Sequence, residues 1–138
     1  MLKRTLVALA ATAALAACDV AAPASSTAGP GTVPVPPGNA AGLFRQVCVA
    51  NQDDLSGATA TLAALPFTRN SGQDIYYHDR LDLSFKVTPN GASAVCSMVW
   101  GPTEGLGRYV QAIRQVAPEA LVDAGDGGLL RAGILGLY

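Results

Sequence analysis

Few side chains in this sequence could do chemistry. There are three cysteines, Cys18, Cys48 and Cys96, and one histidine, His78. A nucleophilic cysteine needs a base beside it, and His78 is the only imidazole on offer. The Cys-x-x-Cys spacing of redox pairs is absent. A zinc centre would want further His or thiolate ligands. A Ser-His-Asp triad needs no adjacency in sequence, so it stays open, but there is no Gly-x-Ser-x-Gly elbow to carry its serine. His78 reads as an exposed turn histidine beside Asp79, and Tyr76, His78 and Arg80 form the candidate surface site. Gly105-Leu106-Gly107 begins like a phosphate loop, but Val110 stands where the third glycine belongs. In residues 123–128, DAGDGG, acids stand at positions one and four, where a calcium loop wants one, three and five. Asp53-Asp54 reads as a solvated loop between helices. No metal and no cofactor is expected, and no catalytic residue is assigned.

The element that would position these groups runs from Arg80 to Trp100. Leu81, Leu83, Phe85 and Val87 alternate with Asp82, Ser84, Lys86 and Thr88, the period of a strand with one apolar face. Asn90-Gly91 is a strong hairpin turn signal. With those two residues as the turn, the expected register pairs Val87 with Ala94, Phe85 with Cys96, Leu83 with Met98 and Leu81 with Trp100. The other face would carry Ser84, Lys86 and Thr88 together with Val95 and Val99. It is either partly covered by a helix or a contact surface.

Other elements follow from local signals. Phe44, Val47 and Cys48 share one face of a helix expected over residues 42–50, with Asn39 as its cap. A second helix is expected over residues 57–64, opened by Ser56 and ended by Pro66. Residues 68–72 read as a loop and 73–77 as a strand. A three-residue turn at 78–80 would point Ile75 and Tyr77 inward; a two-residue turn would instead bury Tyr76 and His78. We expect the first. Thr103 is placed to cap a helix over 104–115 with the stripe Leu106, Tyr109, Val110 and Ile113. Pro118 would start a short helix to Val122. Residues 129–138 read as a last strand, a buried helix being disfavoured by Gly133 and Gly136. The fold class is α+β, order α-α-β-β-β-α-α-β, with an antiparallel sheet built on the hairpin and helices on one face.

The first 18 residues supply an address. Lys3 and Arg4 precede an apolar run too short to span a membrane as a helix, and the run ends Leu15-Ala16-Ala17-Cys18. This resembles the lipobox of bacterial lipoproteins. The resemblance implies a signal peptide over residues 1–17, cleavage before Cys18, and acyl chains on Cys18 that hold the protein to a membrane. Asp19 resembles an inner-membrane retention signal of some bacteria, though that rule differs between lineages. The localisation implied is the bacterial cell envelope, periplasm-facing. An ordinary signal peptidase site with an incidental cysteine is the alternative.

Residues 18–41 hold the lipidated cysteine and a Pro/Ala/Gly-rich tether, and residues 42–138 a single domain. The tether, at ~5–6 Å × √n, spans roughly 25 Å. If Cys18 is lipidated, Cys48 and Cys96 remain, and an even pair in an envelope protein points to a disulfide. It would close a loop of about 49 residues, worth at most ~4 kcal/mol in the chain-entropy model. Two free core thiols are the alternative.

Formal charge is −1, without a basic patch, so nucleic acid is not an expected partner. The layout, one cysteine in the first helix and one in a later strand, is similar to small secreted bacterial proteins of unknown function. It carries no activity to transfer. The expected function is a non-enzymatic binding or structural module that meets an envelope protein or a small ligand. A small periplasmic enzyme or enzyme inhibitor is the alternative.

Overall fold

The computed structural model describes residues 31–138, so the expected leader, Cys18 and the first part of the expected tether lie outside the described residues. The fold is α+β. Among the described residues, three α-helices accompany one six-stranded sheet in which every pairing is antiparallel, with strand order β1-β2-β3-β4-β6-β5. The strands are β1 Phe67–Asn70, β2 Ile75–His78, β3 Leu83–Asn90, β4 Ser93–Trp100, β5 Leu121–Ala124 and β6 Leu130–Leu137. The helices are α1 Pro37–Phe44, α2 Gly57–Ala64 and α3 Leu106–Val116.

The central hairpin forms with its register displaced. Val87 pairs with Cys96, Phe85 with Met98 and Leu83 with Trp100, two residues from the expected partners. The reason lies in the turn. Asn90 pairs with Ser93, and the two turn residues are Gly91 and Ala92, of which only Gly91 takes a positive φ, +67°. A turn that asks for positive φ at its first central residue alone lets Asn90 stay in the strand. An even displacement leaves every side chain on its expected face. Leu83, Phe85, Ala94, Cys96, Met98 and Trp100 are all buried.

The folded region begins before the expected boundary at residue 42. Val33 bridges Leu81 and Val35 bridges Pro102, both in parallel, and α1 starts at Pro37. Pro36-Pro37 reads as linker by composition, yet proline suits the first turn of a helix because its missing N–H has no partner there anyway. Asn39 is therefore inside α1 and caps nothing. The helix continues as a wide π turn over Arg45–Val49, marked by Ala50 N–H donating to Arg45 O at 2.9 Å. That turn carries Val47 and Cys48, both fully buried.

Further differences concern short elements. The loop expected at 68–72 holds β1, an edge strand paired with β2. Tyr76 faces Phe85, and His78 faces Phe67, so the inward pair on β2 is Tyr76 and His78, as in the alternative, although the connection to β3 is the four residues 79–82 rather than a two-residue turn. The helix expected from Pro118 is a turn followed by β5, which pairs along β6 from Leu121–Gly133 to Ala124–Leu130. On α3, Leu106 is exposed while Tyr109 and Ile113 are buried. Thr103 does not cap that helix: Gly105 stands at its N-cap, and Thr103 N–H donates to Tyr109 Oη at 2.8 Å.

One core joins the helices to one face of the sheet. Phe44, Leu62, Tyr109 and Ile113 from the helices pack with Phe85, Met98, Trp100 and Ile134 from the strands. Cys48 and Cys96 form a disulfide with Cα atoms 5.6 Å apart, inside the range that native bridges adopt. It ties the π turn to the middle of β4.

Candidate functional site

Of the residues expected at a surface site, His78 is buried, Tyr76 half-buried and Arg80 exposed. His78 is only 8% exposed. Its ring lies edge-on to Phe67, centroids 4.9 Å apart. Its Nδ1 accepts hydrogen bonds from Arg80 N–H at 3.1 Å and Leu81 N–H at 3.0 Å. An Nδ1 that accepts has no proton of its own, so the neutral ring carries its proton on Nε2. Burial lowers the His78 pKa, the Arg80 charge adds to this, and the Asp79 charge opposes it. The basic nitrogen is thus committed to two backbone donors. Tyr76 packs against the core, and Arg80 alone of the three is exposed.

Other sequence candidates have local partners. Asp54 Oδ1 accepts from Ser56 N–H at 3.1 Å at the start of α2. Asp123 takes Arg131 Nε at 2.7 Å and Nη2 at 3.0 Å across the β5–β6 pair. That hydrogen bonding lowers the Asp123 pKa and raises that of Arg131. Gly105-Leu106-Gly107 is a plain helix start. Among the described residues, no group of three or more His, Cys, Asp or Glu side chains could hold a metal ion. The described residues include no helix long and apolar enough to cross a membrane.

The surface that stands out is the sheet face opposite the helices. The β4–β6 register puts Val95 beside Leu135 and Ser93 beside Leu137 on that side, and Leu121 of β5 beside Gly133. Val95 is 40% exposed, Leu135 62% and Leu121 76%; Leu137 and Tyr138 are exposed as well. Ser97, Lys86 and the Asp123–Arg131 pair supply polar groups around this apolar stripe.

At one end the stripe runs into a cleft of about 280 Å³ lined by Gln52, Asp53, Ser93, Leu135, Gly136 and Leu137. The cleft exists because residues 52–55 fold over the end of β6. Leu137 N–H donates to Gln52 O at 2.9 Å, Leu55 N–H donates to Leu137 O at 2.8 Å, and Gln52 Nε2 donates to Leu135 O at 3.1 Å. Gly136 makes the fit: a Cβ there would lie 2.6 Å from Gln52 O.

A second, more polar groove of about 330 Å³ lies between the start of α1 and α3, where Arg108 pairs with Glu104 at 3.1 Å. Trp100 Nε1, the buried side-chain donor without a partner among the described residues, belongs to neither cleft.

The sequence pattern marked Val95 and Val99 as outward. It did not mark Leu121, Leu135 or Leu137, because their strand, or its pairing, was not assigned. Comparison with protein-family models, with curated proteins and with solved structures finds no match.

Proposed function

We propose that the protein is a lipid-anchored module of the bacterial cell envelope that binds a partner protein through the open face of its sheet, without catalysing a reaction. The observation that carries the binding reading is the stripe of Val95, Leu121, Leu135 and Leu137 on a sheet whose other face carries the core. Side by side, apolar residues of adjoining strands make a contiguous surface, and such patches mark interaction sites more often than isolated exposed residues do. The polar rim and the cleft at Gln52 and Asp53 would give direction to a contact that apolar burial alone leaves non-directional. The disulfide suits this role by holding the sheet rigid from behind, so that a partner meets a surface already in place. The address rests on the lipobox-like leader ending at Cys18.

Two experiments test this. A photo-crosslinking residue at position 95 or 135 should trap a discrete envelope protein, while one at Gln111 on the helix side should not. Wild-type protein should take up labelled fatty acid, and Cys18→Ser should abolish the uptake. Turnover of an envelope substrate that vanishes in His78→Ala would favour the enzyme instead.

A further inference from the structure

His78 and the first described residues are joined through a single peptide unit. Leu81 N–H donates to His78 Nδ1 at 3.0 Å. The carbonyl of the same planar unit belongs to Arg80, and it accepts Val33 N–H at 3.0 Å. Asp82 N–H returns a hydrogen bond to Val33 O at 2.8 Å. The imidazole and the incoming chain therefore grip opposite ends of one peptide. Two residues on, the chain is held at a second point, which shares Asp82 with the first: Gly101 N–H donates to Asp82 O at 2.9 Å. Val35 N–H donates to Gly101 O at 2.8 Å, and Tyr109 Oη donates to Val35 O. Nothing in that second anchor passes through His78.

We propose that His78 is an acid-sensitive latch on the N-terminal segment: a proton on Nδ1 sets it against the N–H groups of Arg80 and Leu81, tilts the shared peptide, and frees Val33 from the sheet while Val35 stays bound. The first contact of the described chain with the rest of the domain then moves from Val33, at the turn after β2, to Val35, at Gly101.

The surroundings of the ring favour a response in mildly acid conditions. Phe67 of β1 offers a protonated ring no countercharge. The charged groups acting on it are Asp79 and Arg80, with opposite effects, and Asp82 is buried farther along the same turn. With the native value lowered from the ordinary 6.5, the unfolded chain binds more protons than the native one between the two values. Stability from His78 is therefore full above 6.5 and is lost as pH falls through that interval, and the released state gains in the same direction.

The test is nuclear magnetic resonance on the labelled full chain, following the His78 ring and the amide protection of Val33, Val35 and Asp82 against pH. The expected result is a His78 midpoint below 6.5. As pH falls from 6.5 towards that midpoint, Val33 and Asp82 should lose protection by up to about ten-fold per pH unit and level off below it, while Val35 keeps its own. Arg80→Gln and Asp79→Asn, both on exposed residues, shift the midpoint without touching the imidazole. Arg80→Gln should raise the ring and release midpoints together, and Asp79→Asn should lower both together. The proposal is overturned if His78 titrates with Val33 protection unchanged, if Val33 and Val35 are released together, or if release follows a carboxylate midpoint that Arg80→Gln leaves in place.

Discussion

The two faces of β4 are built on one backbone and differ by one step along it. Ala94, Cys96, Met98 and Trp100 point to the helices and are buried; Ser93, Val95, Ser97 and Val99 point the other way, with Val95 exposed and the rest half-buried. The hydrogen bonds to β3 and β6 serve both faces alike. The contrast therefore lies in what covers each face. A side chain on the helix side is held by close packing and gives stability. One on the open side is free to meet something else. Substitutions should separate along the same line.

The largest effect is expected at Trp100, which is fully buried and packs against Tyr109 with the rings tilted and their centroids 5.4 Å apart. Trp100→Ala should cost about 3–5 kcal/mol in denaturant unfolding. Next is the staple behind the sheet. Replacing both Cys48 and Cys96 by Ala should cost roughly 2–4 kcal/mol, and mass spectrometry of the unreduced wild type should show no free thiol at either position. Gly136 sits where the faces meet the 52–55 loop, and an added Cβ would lie 2.8 Å from Leu55 Cδ1 as well as against the Gln52 carbonyl. Backbone cannot yield as a flexible side chain does, so Gly136→Ala should cost about 1–3 kcal/mol. On the open face, Leu135→Ser should change stability by no more than about 0.5 kcal/mol. A loss at Leu135 as large as that at Gly136 would mean that the open face is a structural face after all.

Much of this division was legible in the sequence. Alternation along β3 and β4 assigned each side to its face, and that survived the displaced register because the displacement was even. The burial of Phe44, Val47 and Cys48 followed from helical spacing alone. The misses have physical causes. Pro36-Pro37 has the composition of a linker and the geometry of a helix start, and only the contacts of Val35 and Ala40 decide between them. Residues 67–70 and 121–124 are four-residue edge strands, too short to show a period, and they exist because β2 and β6 offer open edges to pair with. His78 looked exposed because polar neighbours surround it in sequence; Phe67, eleven residues upstream, is what covers it. The open face was half visible through Val95 and Val99, while its stronger half depended on how β5 and β6 pair.

The claim that this face works and the other supports is best tested by one variant measured in two ways. Leu135→Lys places a charge at the centre of the stripe, beside Val95 and remote from the disulfide side of the sheet. Its unfolding midpoint and its crosslinking from position 95 should be recorded together on the full chain. The account predicts an unchanged midpoint and loss of the trapped partner. A lowered midpoint, or a partner trapped as efficiently as by the unsubstituted face, would contradict it.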